Sequence, residues 1–127
     1  MKDHLIYLAS PYSHKSPEVM HRRFEMVCKV AGFMLNNGWH VYSPIAHTHP
    51  IACQCGLPKD FDFWKRYDTA VMSRCTHLIV VKLDGWMESV GVEAEIMMAA
   101  HFKTPIYYMD WPDYREWLIK NKDKIHG

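Results

Sequence analysis

Residues 77–96, HLIVVKLDGWMESVGVEAEI, decide how the fold is read. Residues 77–83 place Ile and Val at their centre and form the most strand-like run in the chain. A turn follows at Asp84-Gly85-Trp86, and from about residue 89 the apolar spacing becomes helical as far as residue 102. A buried strand running directly into a helix is the building unit of a parallel α/β sheet. The junction is also crowded with acid, at Glu88, Glu93 and Glu95, with Ser89 and Gly91 between them. Carboxylates at a helix start are stabilised by the macrodipole, which explains them structurally. The alternative is a turn that seats an anion or a sugar, followed by a carboxylate that does chemistry. Only the position of the stretch within the fold separates the two.

Working outward, residues 4–10 (HLIYLAS) form a short apolar run stopped by Pro11, a first buried strand. Ser16-Pro17 is a helix start, with serine at the cap and proline in the first turn. Met20, Phe24, Val27, Cys28, Ala31, Met34 and Leu35 continue it at helical spacing to Asn37-Gly38. A second strand is expected over 40–45, a long loop over 46–59 and a helix over 60–74. Beyond the opening stretch, 104–109 reads as a fourth strand, and WPDYREWLIKNK as a polar last helix. Strand and helix alternate without repeats or a linker, which predicts one domain spanning 1–127. Its class is α/β, with a flavodoxin/Rossmann-like, doubly wound, mainly parallel sheet of about four to five strands flanked by helices.

Composition narrows the function classes. The 127 residues suffice for one core, and 49% of them are apolar. Lys plus Arg (15) nearly balances Asp plus Glu (14), and no basic run is present, so nucleic acid is not the expected partner. No apolar run approaches the roughly 20 residues of a membrane span, and the start MKDHLIYLAS lacks a signal-peptide core. A cytoplasmic protein is expected, with no membrane partner. Cys28 and Cys75 fall on apolar stripes; Cys53 and Cys55 with His47 and His49 do not have the separations of common zinc folds. Neither a metal nor a cofactor is expected.

In doubly wound sheets the ligand lies outside the carboxyl ends of the strands, where strand order reverses. For order 2-1-3-4 the crevice opens between strand one, ending in Ala9-Ser10-Pro11-Tyr12-Ser13, and strand three, ending in Asp84-Gly85-Trp86. That placement favours the functional explanation of the acids. Glu93 and Glu95 lie on different sides of their helix, so only one can face the crevice. Ser89 and the free N–H groups of the first turn offer a phosphate seat, and Gly91 allows close approach to the backbone. The helix dipole should hold a nearby carboxylate ionised, as a nucleophile requires. On the preceding helix Asp68 falls inside an apolar stripe of Trp64, Tyr67, Val71 and Cys75, either as a site acid or as a core acid with an N–H partner.

Tyr7-Leu8-Ala9-Ser10-Pro11-Tyr12, the helix carrying Asp68, the strand LIVV and the Ser89, Gly91, Glu95 pattern together resemble the nucleoside 2-deoxyribosyltransferase superfamily, from strand one to about residue 100. The Asp84-Gly85-Trp86 turn is similar to a short bacterial and phage branch of it. The resemblance implies that Glu95 attacks the anomeric carbon of a nucleoside and that Asp68 works near the leaving base, which suits a retaining displacement. Where superfamily members have serine at the Ser89 position, a 5′-phosphate is bound; where they have aspartate, a free 5′-hydroxyl. The expected activity is therefore cleavage of the N-glycosidic bond of a (deoxy)nucleoside 5′-monophosphate, releasing free base. Deoxyribosyl transfer between bases and a non-catalytic nucleotide-binding or sensor protein are the alternatives.

The expected ligand contacts are Ser10, Pro11, Tyr12, Ser89 and Gly91, with Ser13, Lys15 or Arg23 as further phosphate donors, since this first loop departs from the glycine and arginine of the nucleotide hydrolases; Lys15 and Arg23 are alternatively solvated charges at the helix start. For the base the expected contacts come from the loop over 45–58 and from Trp64, with His47 and His49 stacking on or hydrogen-bonding the base, or alternatively capping or cross-linking their loop. Trp86 either walls the sugar pocket or plugs a subunit interface. Trp111, Tyr114, Trp117 and Leu118 on the charged last helix either bury against a second copy or pin that helix to its own sheet. The resemblance implies a homodimer or higher homo-oligomer with a shared site, Asp110 being the residue lent by the neighbour.

Overall fold

The structure is a computed structural model and describes residues 3–126. Strands and helices alternate as β1 (Ile6–Ala9), α1 (Pro17–Asn36), β2 (Val41–Tyr42), α2 (Pro44–Cys55), α3 (Phe61–Met72), β3 (His77–Val81), α4 (Val90–His101), β4 (Ile106–Met109) and α5 (Tyr114–His126). The sheet has four strands in the order β2-β1-β3-β4. Every pairing is parallel, with Ile6 opposite Val41 and His77, and Leu78 opposite Ile106. The expected architecture and crevice position are thus both present.

Side chains of β1 and β3 alternate between two cores, as the pleat requires. Ile6, Leu8, Ile79 and Val81 pack with Val27, Val30 and Met34 of α1 and with Tyr114, Leu118 and Ile125 of α5. Tyr7, Ala9, Leu78 and Val80 pack on the opposite face with Met72, Cys75, Val92 and Ala99. Both central strands are therefore covered on both faces, which is why they read as unbroken apolar runs.

Two elements depart from expectation. The second strand ends at Tyr42, and the residues expected to form a loop over 46–59 are mostly helical. Ser43 caps that helix by accepting from the Ala46 N–H at 3.1 Å, Pro44 occupies its first turn, and Gly56 closes it in the left-handed conformation at φ 64°. This is the start signal of Ser16-Pro17 repeated. Its buried stripe consists of Ile45, Thr48, His49 and Ala52, and polar members of a stripe do not register as apolar period. On α3 the stripe is also shifted, because Tyr67 is exposed while Asp68 and Met72 are buried, and Cys75 lies in the turn beyond the helix.

At the crevice, the Arg23 guanidinium donates to the carbonyls of Tyr12 at 3.3 Å and Ser13 at 3.2 Å, and to Asp84 O at 3.2 Å. It straps the loop after β1 to the loop after β3. Gly85 makes room for it, since a Cβ there would stand 2.6 Å from Arg23 Nη2, at φ +90°. Arg23 is consequently a structural strap and not a phosphate donor. Ser13 Oγ donates to Lys59 O at 3.0 Å and ties the same loop to the α2–α3 connection.

Candidate active site

Between the ends of β1 and β3 lies a narrow cavity of about 50 Å³. The loop after β1 contributes Ser10, Tyr12 and Ser13; α2 contributes Pro44, Ile45 and Thr48; the α3 region contributes Lys59, Asp60, Phe61, Trp64 and Asp68; α4 contributes Ser89, Gly91 and Glu95. A larger chamber of about 290 Å³ adjoins it, sharing Ser13, Asp60, Phe61, Ser89 and Gly91 and adding Asp62, Glu88 and Val90. The inner cavity alone is too small for a nucleoside, given that small-molecule pockets run to about 300 Å³ and above. The two spaces together form the crevice.

Glu95 and Asp68 are each 5% exposed and both line the inner cavity. Glu93, two residues away on α4, is exposed. Tyr7, fully buried in β1, donates its phenol proton to Glu95 Oε2. Asp68 Oδ1 and Ser10 Oγ, the latter on a residue 4% exposed, have no hydrogen-bond partner among the described residues. The N–H partner required of a core acid is absent at Asp68 Oδ1. Unpartnered buried polar atoms facing a cavity are costly to the fold, and they are what a ligand would satisfy.

Burial pushes the Asp68 carboxyl up to about 7. Burial also raises Glu95, to about 8, with the nearby Asp68 charge adding to the rise and the Tyr7 hydrogen bond opposing it. The expectation that the helix dipole holds Glu95 ionised is therefore corrected. Glu95 lies beyond the first turn of α4, where the dipole has faded, and desolvation dominates. Both carboxyls are thus raised to near neutral pH, where each is partly protonated.

The structure brings together Ser10, Tyr12, Trp64, Asp68, Ser89, Gly91 and Glu95 of the residues singled out from sequence, and also Ser13. Ser89 caps α4 by accepting from Val92 N–H at 3.2 Å, which leaves its hydroxyl proton free to donate into the crevice. Trp64 is anchored by its indole N–H to Pro58 O at 2.9 Å. Pro11 is buried but lines neither space, and Lys15 is exposed and apart from both. His47 is exposed outside the crevice, near the rings of Tyr42 at 6.0 Å and Tyr67 at 6.1 Å. His49 is buried behind Tyr12, bonded to its hydroxyl, and does not reach the cavity. The expected base contacts from these two histidines are corrected: on a helix rather than a loop, both side chains turn away from the crevice. Trp86 borders a separate surface hollow with Met87, Val92 and Met97, so it does not wall the cavity. Asp110 is exposed and pairs with Lys82 at 2.7 Å.

Sequence reasoning named Tyr7 only as part of a motif and not as a site residue, and did not single out Lys59, Asp60 or Phe61. Only the pleat of β1, which turns Tyr7 away from Leu8 and toward α4, carried a signal for Tyr7. The phosphate expectation also meets an obstacle. Asp60, Asp62 and Glu88 line the chamber beside Ser89, and Lys59 of the inner cavity is the cation among the crevice residues.

All four cysteines are free. Cys75 is buried and its thiol is pushed up to about 11 by that burial, so it behaves as an apolar group. Among the described residues no three or more His, Cys, Asp or Glu side chains are placed to hold a metal ion. None of the described helices is long and apolar enough to cross a membrane. Tyr114 and Leu118 are buried in the chain's own core, with Trp111 and Trp117 packed against it. The last helix is thus pinned to its own sheet, and its aromatic rings supply no separate argument for a second copy.

Fold and crevice define a parallel α/β domain with two buried carboxyls at the strand-order reversal. The chain belongs to the family described as domain of unknown function (DUF1937), whose model matches residues 4–111 and so covers the sheet and crevice but not α5. No curated protein matches it.

Proposed function

We propose that the protein cleaves the N-glycosidic bond of a (deoxy)nucleoside or its 5′-monophosphate, with Glu95 as nucleophile and Asp68 as the proton-handling acid. The observation that carries this reading is the pairing of two buried carboxyls on one cavity, with Asp68 Oδ1 unpartnered. The resemblance to the nucleoside 2-deoxyribosyltransferase superfamily supports it at the same residues.

The active form needs Glu95 ionised and Asp68 protonated, the reverse of the order of their raised values, so it is the less populated single-proton state of the two carboxyls. As the bond from C1′ to the base nitrogen breaks, its electron pair leaves with the base and Asp68 supplies the proton there. The Glu95 carboxylate closes on C1′, and Tyr7 keeps one of its oxygens in place. Water then attacks the glycosyl-enzyme, Asp68 takes its proton back, and Glu95 is released. The Trp64 and Phe61 rings give the base apolar walls.

The sugar's 5′ end has two readings. The hydroxyl of Ser89 and the start of α4 favour a phosphate, the substrate preference drawn from sequence. Asp60, Asp62 and Glu88 favour an uncharged 5′-hydroxyl, and with it the alternative of transfer between bases. Incubation with a panel of nucleosides and 5′-monophosphates, with and without a second base, followed by chromatography of free base, tests both. No base from any member would overturn the reading in favour of a nucleotide-binding or sensor protein. A cytoplasmic location is proposed as expected from the sequence, and the resemblance carries the proposal of a homo-oligomer in which Asp110 reaches a neighbour's site. Light scattering together with Asp110→Ala activity tests the assembly, a fully active monomer excluding it.

A further inference from the structure

Behind the cavity wall lies a constellation that the proposed chemistry does not use. The Tyr12 ring lines the cavity, and its hydroxyl is hydrogen-bonded to His49 Nδ1, the two rings edge to face at 5.4 Å. His49 is 6% exposed, with Phe24 against its ring at 4.5 Å. Its Nε2 lies 3.4 Å from His21 Nδ1 and 3.6 Å from Cys53 Sγ. Burial, then the neighbouring His21 and Lys59 charges, hold the His49 ring below its usual pKa, so it is neutral at pH 7 with one N–H. Burial pushes the Tyr12 phenol up to about 12, so it keeps its proton.

A phenol is a far stronger acid than a neutral imidazole N–H and the better donor of the two, so the pair is disposed as O–H···Nδ1. The single ring proton of His49 then sits on Nε2, beside His21 Nδ1 and Cys53 Sγ. With its own proton committed to His49, the Tyr12 oxygen has only lone pairs left to offer a ligand. Donors for ligand oxygens are supplied elsewhere on the same wall, by Ser10, Thr48 and Lys59.

We propose that His49 is a positioning residue that makes Tyr12 a hydrogen-bond acceptor, so that the cavity favours ligands presenting an N–H there, an amino-bearing base over its carbonyl counterpart. The identity of the ligand rests on the N-glycoside reading; the state of the His49 ring does not.

Two measurements test it. Ring ¹⁵N spectra of histidine-labelled protein at pH 7 should show His49 neutral with its proton on Nε2, and the Nδ1 signal should move in Tyr12→Phe. A proton on Nδ1 overturns the proposal, whether or not any base is released. Base release from adenosine against inosine, and cytidine against uridine, should favour the amino member by about fivefold, the worth of one hydrogen bond of about 1 kcal/mol. That preference should vanish in Tyr12→Phe and in His49→Leu, the latter with kcat on the carbonyl members little changed. It should return in His49→Asn, whose amide oxygen stands near the Nδ1 position. Equal or inverted preference in the wild type, or a preference untouched by Tyr12→Phe, overturns it. If no probe yields free base, the N-glycoside reading fails by itself, and shift titrations with the same four nucleosides read the preference as affinity.

Discussion

At the carboxyl ends of the strands, Glu95 and Asp68 are buried around an open cavity, and Asp68 keeps an oxygen with no partner. At the amino ends, His4 stacks on His77 at 4.9 Å and meets His126 edge-on at 4.8 Å, and His126 lies 4.5 Å from the Trp39 ring. The carboxyl end buries its ionisable groups beside an open cavity, whereas the histidines of the amino end are half-buried and packed on one another. The amino end is filled ring against ring, as a structural solution should be. Groups held desolvated beside a void are instead what a ligand site requires.

The two ends also respond to pH in opposite directions. Asp68 and Glu95 are raised from ordinary values of 3.8 and 4.5 to about 7 and about 8, so folding favours their protonated forms. Their contribution to stability is full below about pH 4 and is lost as pH climbs toward 8. His77 and His126 are lowered from 6.5, by burial first and then by repulsion from His4. Their contribution is full above pH 6.5 and is lost as pH falls through the lowered values.

The largest test of the contrast is Glu95→Gln. Base release should fall by at least about a thousandfold while the fold and much of the ligand affinity persist. Near-wild-type turnover would make the carboxyl end as purely structural as the amino end. Asp68→Asn should cost about a hundredfold or more in release. It should also raise stability at pH 8 by about 1–2 kcal/mol, measured by urea unfolding, because an unpartnered charge is removed. A gain in stability without loss of activity would return Asp68 to the core.

Smaller effects sharpen the comparison further. Ser89→Asp should weaken use of monophosphates more than of nucleosides, by about fivefold or more in kcat/KM through like-charge repulsion. Equal loss on both would leave Ser89 as a helix cap only. His126→Leu should flatten the acid limb of unfolding stability between pH 6.5 and 5 by less than about 1 kcal/mol, leaving base release unchanged. An unchanged acid limb would mean that the histidine stack titrates elsewhere.

Much of this was legible in the chain. The runs over 4–10 and 77–83, the Ser16-Pro17 start and the order of elements specify the parallel sheet, because each strand buried on both faces must be apolar throughout. From that order alone Glu95, Ser89 and Ser10 fall at the crevice. Helix α2 was hidden because its buried stripe is built partly from Thr48 and His49, which carry no apolar period. The state of the site was decided only by packing. The dipole argument for Glu95 is local and visible in sequence; the burial that outweighs it comes from packing, with the Asp68 charge of α3 adding to the rise and the Tyr7 hydrogen bond from β1 opposing it, both distant along the chain. Tyr12 is likewise legible as a loop tyrosine, but its partner His49 lies on another element. Sequence determines which backbone segments pair and which faces are apolar, because those follow from local period; burial, charge state and hydrogen-bond direction depend on what arrives from elsewhere in the fold.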